Sequence, residues 1–245
     1  MAALLLQGVP GVAETPLADC VIPAHSTGDY VVLLHGMGRT RISMSLVKHH
    51  LERKGYTVVS QTYPSRKYRV DQLSDEWLRP LIQREIRDPD RKVHFVTHSL
   101  GGIVLRHYLE HNDLPGLGRV VMLAPPNQGS ELVNIFDRLP VYRWAVGPAG
   151  LQLGTDEDAV PFQLGPANYQ LGVIAGTRSL NPVYSRLIPG SDDGKVSVAR
   201  AKLEGMHGFL TVPYSHTWLM NRKVTLNQIE TFIRSGAFMG SVPRD

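Results

Sequence analysis

A chain of 245 residues that is 42% hydrophobic and 20% charged can bury a substantial core, which excludes wholesale disorder. Its formal charge of +4 is mild, and basic residues such as Arg84, Arg87, Arg91 and Lys92 are interleaved with acids, so the dense basic stripe of a nucleic-acid binder is missing. The single cysteine, Cys20, excludes an intramolecular disulfide and a four-thiolate metal site, and favours a cytoplasmic setting.

The apolar run Ala2–Leu6 is too short to span a membrane and lacks the basic start of a secretory signal. "LADC", ending at Cys20, is a faint lipoprotein-like cleavage site preceded by residues too polar for its apolar region. A secreted or periplasmic location would require processing of this start.

Beyond it, apolar runs alternate with amphipathic ones. The pattern predicts a strand at Tyr30–Leu34, a helix at Ile42–Lys54, a strand at Tyr56–Thr62 and a helix at Val70–Arg87. A strand at Val93–Thr97, a helix at Leu100–Glu110 and a strand at Arg119–Leu123 follow, and later come strands Gln170–Ala175 and Gly208–Val212 and a helix at Arg222–Ser235. The first four strands are almost continuously apolar, as expected when both faces are covered. The fold class is therefore α/β, a mostly parallel sheet of about six strands with helices on both faces. Pro80 predicts a kink in the second helix. Between residues 130 and 165 the alternation breaks down amid Pro, Gly and aromatics. One short helix, Glu131–Leu139, is expected there, in an insertion that forms either a small lid or a packed excursion.

"THSLGG" places Ser99 between the third strand and its helix. A serine hydroxyl is a weak nucleophile unless it is exposed and close to a base. A tight strand–turn–helix corner exposes it and turns the next backbone N–H, that of Leu100, toward a developing oxyanion, with Gly101 and Gly102 relieving crowding. Taken alone, the motif also reads as a helix N-cap, and Thr97 stands where the first glycine of G-x-S-x-G belongs. "HGMG" directly after the first strand offers the N–H of Met37 as a second oxyanion donor. Neither a dinucleotide fingerprint nor a phosphate loop is present, "SDDGKV" lacking the early glycine and the final hydroxyl. His94 and His98 share a four-residue spacing, but on a strand this makes no metal pair.

Further along, "GSDDGKVSV" brings the acids Asp192 and Asp193, and "TVPYSHTWLM" brings His216. Loops at the carboxyl ends of parallel strands converge on one edge, so serine, acid and histidine can meet there in that chain order. His207 precedes the last strand and falls at the opposite end, which favours His216.

Together "HGMG", "HSLGG", "APPNQGS", "DDGKVSV" and "SHTWLM" resemble the α/β-hydrolase superfamily, most closely its compact bacterial lipases and esterases and the inositol-deacylase-like branch. The resemblance spans roughly Tyr30 to Met220. It implies one hydrolase domain over residues 1–245, with 130–165 as a small lid. It further implies Ser99 as nucleophile, His216 as base, Met37 and Leu100 as oxyanion donors, and, because the acid stands directly before glycine in relatives, Asp193 as the orienting acid. The substrate would be a small-molecule or lipid ester with a short to medium acyl chain, and Phe136, Trp144 and Phe162 either line an acyl pocket or pack in the core. The expected chemistry needs no cofactor and no metal, and allows transient contact with a lipid surface. A lysophospholipase, thioesterase or GPI-type lipid deacylase with the same triad, or a catalytically silent binding module, are the alternatives.

Overall fold

The computed structural model describes residues 28–240; Ala2–Leu6 and Cys20 lie outside them. Tyr30–Leu34 forms strand β1 with every side chain buried. Alternation sends Val32 and Leu34 to one face of the sheet and Val31 and Leu33 to the other, and each face meets its own layer. Leu73, Leu81 and Ile103 pack on the first face. Val47, Leu51, Ile229 and Phe232 pack on the second. The sheet is completed by β2 (Thr57–Ser60), β3 (Val93–His98), β4 (Leu117–Leu123), β5 (Leu171–Gly176) and β6 (Gly208–Val212). Its order is β2-β1-β3-β4-β5-β6 and every neighbouring pair is parallel, as the composition of the runs predicts.

Element ends differ from the sequence reading where local bonding decides them. β2 is shorter than Tyr56–Thr62 because it is an edge strand whose pairing with β1 runs only from Thr57 to Ser60. β4 begins two residues early, since Leu117 pairs with Val93 ahead of a register shift. The first helix opens as a 3-10 turn, Arg41–Met44, capped by the Thr40 hydroxyl, before the α-helix Ser45–Glu52. Pro80 does not break its helix. Val70–Gln72 and Arg79–Glu85 are joined through a wide π-type turn, Leu73–Leu78, placed just ahead of the proline. A proline has no N–H to give the carbonyl four residues back, and the widened turn accommodates that missing bond.

The 130–165 segment is more helical than its composition suggests. It holds Glu131–Phe136, Pro140–Leu151 and Val160–Gln163. Pro140 and Pro161 sit in first turns, where no N–H is needed. Gly147, at φ 68, bends the middle helix, and a Cβ there would lie 2.0 Å from the Arg66 carbonyl oxygen. The segment's far end is held by Arg106, which is buried in the helix Leu100–His111 and donates to the carbonyls of Asn127, Pro161, Leu164 and Gly165. Among the described residues no helix is long and apolar enough to cross a membrane.

Candidate active site

The chain leaves β1 toward β2 on one side and leaves β3 toward β4 on the other, which opens a crevice beyond the carboxyl ends of β1 and β3. Ser99 stands at that crevice, at the corner between β3 and the helix Leu100–His111, with φ 53 and ψ −124. Such a backbone is strained for any residue with a Cβ, by about 1–3 kcal/mol, and the surroundings must enforce it. They do so through packing and through a bond from the Ser99 N–H to the Leu123 carbonyl at 2.9 Å. A Cβ on Gly101 would stand 2.8 Å from the Leu34 carbonyl oxygen, so only glycine lets the helix start approach the end of β1 this closely. The bulk of Thr97 is answered at Gly102, where a Cβ would meet the Thr97 hydroxyl at 3.3 Å.

His216 follows β6 and Asp193 follows β5, and both are buried. His216 Nε2 lies 3.0 Å from Ser99 Oγ, and Nδ1 lies 2.8 Å from Asp193 Oδ2. The other carboxylate oxygen, Oδ1, accepts from the N–H groups of Lys195 and Val196 at 3.0 and 2.9 Å. Every hydrogen-bond partner of this carboxylate is thus a donor. The carboxylate fixes the Nδ1–H tautomer and leaves Nε2 free to accept the serine proton. Asp192 is occupied elsewhere, its Oδ1 accepting from the Gly194 N–H and the Ser185 hydroxyl. His207 immediately precedes β6 at the far end of the sheet, where its N–H bonds to the Leu171 carbonyl.

Two further histidines frame the site. His98 Nε2 lies 2.9 Å from the His216 carbonyl, so it is the donor, and its Nδ1 is buried without a partner. Burial above all, with the nearby His216 second, holds its pKa well below the ordinary value. His35 stacks on Tyr63 at 4.1 Å and accepts from the Tyr63 N–H through Nε2, while its own carbonyl takes the Tyr63 hydroxyl. Burial lowers the His35 pKa as well. With the bond from the Gly38 N–H to Ser65 Oγ, these contacts grip the loop on both sides of Met37. The Leu100 N–H opens its helix and has no acceptor within it.

A cavity of about 230 Å³ lies over Ser99. Met37, His98, Ser99 and His216 line it, together with Leu132, Val133, Tyr142, Val146 and Leu153 from the 130–165 segment. Phe136, Trp144 and Phe162 do not line it, which corrects the sequence reading. On the helix Pro140–Leu151 the side chains of Tyr142, Ala145 and Val146 share the inward face, so Trp144 turns outward and is 78% exposed, with the Arg66 guanidinium 5.9 Å from its ring. Phe136 packs behind the lining against Tyr142 and Tyr184, and Phe162 is exposed. Sequence reasoning missed Arg106, Tyr142, Tyr184 and Lys195; the one available signal was a charge, Arg106, inside an otherwise apolar helical run. Among the described residues no group of three or more His, Cys, Asp or Glu is placed to hold a metal ion.

A parallel sheet carrying serine, aspartate and histidine in this chain order, on the carboxyl-end loops after β3, β5 and β6, defines the α/β-hydrolase class. The chain belongs to the alpha/beta hydrolase family, whose profile matches residues 31–224. Solved structures agree on the fold. A Bacillus licheniformis lipase in its mature form is 19% identical with a TM-score of 0.65, covering 85% of this chain and 91% of its own. A metagenomic carboxyl esterase is 20% identical with a TM-score of 0.63, covering 95% and 76%. A type II thioesterase of the yersiniabactin biosynthetic pathway is 14% identical with a TM-score of 0.57, covering 87% and 96%. No curated protein matches the sequence.

Proposed function

We propose that this hydrolase is a serine carboxylic ester hydrolase working through an acyl-enzyme. The carrying observation is the continuous chain Ser99 Oγ, His216 Nε2, His216 Nδ1 and Asp193 Oδ2, linked at 3.0 and 2.8 Å. Ser99 Oγ attacks the ester carbonyl carbon as its proton passes to His216 Nε2. The N–H groups of Met37 and Leu100 receive the oxyanion. The tetrahedral adduct collapses, the acyl C–O bond breaks, and His216 returns the proton to the departing alcohol. Water then attacks the acyl-enzyme by the same route, releasing the acid and restoring Ser99.

The cavity is smaller than the roughly 300–1,000 Å³ of drug-sized ligand sites, and its wall is largely apolar, which supports acyl chains of short to medium length. Residues 130–165 serve in this reading as a small cap on a single hydrolase domain. Ser99→Ala should lower kcat for p-nitrophenyl butyrate by at least about 10⁴-fold while circular dichroism shows an unchanged fold. A fluorophosphonate should label the parent chain at Ser99. Unchanged turnover in the variant overturns the Ser99 mechanism, and no adduct on the parent returns the chain to the class of silent binding modules. Comparing kcat/KM across lysophospholipid, thioester and GPI-type substrates separates the enzymes that share this triad.

A further inference from the structure

The cavity over Ser99 is lined by two cations, Arg39 and Lys195, and by no carboxylate. Arg39 belongs to the loop after β1 and donates through Nη2 to the hydroxyl of Thr217, the residue next to His216, at 3.1 Å. Lys195 follows Asp193 by two positions and also lines an adjoining depression with Tyr184, Asp193, His216 and Thr217. Among the described residues neither cation forms an ion pair. Asp193, which acts on Lys195 electrostatically, already has its oxygens engaged by His216 and by the N–H groups of Lys195 and Val196.

Two like charges at one site, opposed only by a carboxylate whose oxygens are already bonded, raise the local potential for anions. Lys195 is reached by solvent, yet it sits in a concave part of the molecule. Crowding by protein lowers its pKa, Arg39 lowers it further, and Asp193 acts the other way. The position of the cations decides which half of an ester would meet them. The leaving alcohol takes its proton from His216 Nε2 and must therefore lie against the imidazole. Arg39 is tethered to the neighbour of that histidine, and Lys195 shares both depressions with it. The apolar lining comes from other residues, Leu132, Val133, Val146 and Leu153.

We propose that the site takes esters whose alcohol carries an anionic group, a phosphate or a carboxylate, a few bonds from the ester oxygen, and that Arg39 and Lys195 hold that group. The inference rests on the ester-hydrolase reading above. Hydrolysis breaks only the acyl C–O bond, adds water across it, and releases the alcohol with its anionic group intact.

The test compares kcat/KM at low ionic strength for octanoyl esters of glycerol 3-phosphate, glyceric acid and glycerol. The expected result is a preference of about tenfold or more for one of the two anionic esters over the neutral one, in line with a charge-assisted bond. Whichever anionic ester leads identifies phosphate or carboxylate as the recognised group. That ratio should shrink in Arg39→Gln and in Lys195→Gln, both checked for folding by thermal melts, and in about 0.5 M NaCl, where exposed charges are screened. Equal turnover of all three esters, or a preference that survives both substitutions, overturns the inference and leaves ester hydrolysis standing. Failure of the parent chain to hydrolyse these esters and p-nitrophenyl butyrate alike overturns the underlying reading and the inference with it.

Discussion

His216 and Asp193 are joined twice. The His216 N–H donates to the Asp193 carbonyl at 2.9 Å, and the imidazole Nδ1 meets the carboxylate at 2.8 Å. The side-chain bond sets the tautomer, and the backbone bond sets where the imidazole can stand. The loops after β5 and β6 therefore behave as one unit at the site, although the two residues are far apart in the chain.

This double link separates the two neighbouring aspartates. Asp193→Asn should reduce kcat for p-nitrophenyl butyrate by roughly 10⁴-fold, because an amide does not hold the imidazole in the productive tautomer. Asp192→Ala should reduce it less than about tenfold and instead cost about 1–2 kcal/mol of stability, through the freed Gly194 N–H and Ser185 hydroxyl. Steady-state kinetics and urea melts of both variants decide the matter, and a reversed pattern would move the acid to Asp192.

His98 acts on the site through the His216 carbonyl, which receives its Nε2–H. His98→Leu should leave that buried carbonyl unpaired and lower kcat by about 10–100-fold with a smaller change in KM. His98→Gln, which can place an amide N–H at a similar position, should recover part of the loss. Equal damage from both substitutions would show that packing alone matters at this residue.

Gly101→Ala sets a methyl group against the carbonyl oxygens of Leu34 and His35, at 2.8 and 2.9 Å, where no flexible side chain can yield. The helix start must move away from β1, carrying the Leu100 N–H with it. The expected cost is about 1–3 kcal/mol of stability, together with slower fluorophosphonate labelling of Ser99. Labelling at the original rate in a folded variant would show that the corner tolerates the shift.

Acid sensitivity should come partly from His94, far from the reaction. Its Nδ1 accepts the Arg119 N–H at 2.8 Å, so protonation costs that bond. Burial is the main cause that lowers its pKa to about 4 from 6.5, and Asp29 opposes the shift. Above pH 6.5 neither the folded nor the unfolded chain protonates this group, and its contribution is level. Between 6.5 and about 4 the unfolded chain takes up a proton that the folded one refuses, so stability falls as pH falls, by about 3 kcal/mol in all. His35 and His98 are shifted in the same direction and add to the loss. His94→Asn, which keeps an acceptor near the Nδ1 position, should flatten the decline of Tm across this range, and an unaltered slope would rule the group out.

What could be read from the sequence was set by how local its causes are. A strand covered on both faces carries an unbroken apolar run, so Tyr30–Leu34 has the same limits in sequence and structure; Gly208–Val212 also keeps its limits, although it is a half-buried edge strand. The corner at Ser99 was legible because small residues follow it, and the structure shows what they admit: the carbonyls of Leu34 and His35 at Gly101, and Thr97 at Gly102. The π-type turn before Pro80 was not legible, because apolar spacing looks alike in a wide helical turn and a regular one. The 130–165 segment misled for a related reason. Its prolines suggested irregular chain, yet Pro140 and Pro161 stand in first turns and favour helix there. Which face of these short helices turns toward Ser99 depends on packing against distant residues, so membership of the 130–165 segment does not tell that Trp144 and Phe162 stand outward.

The unusual torsion at residue 99 sets turnover against ruggedness. A glycine there would relax the corner without effort, and the resulting dead protein should outlast its active parent on heating. Screens that reward heat tolerance alone would therefore tend to discard the proposed nucleophile, and any programme to toughen this hydrolase must select for hydrolysis in the same round.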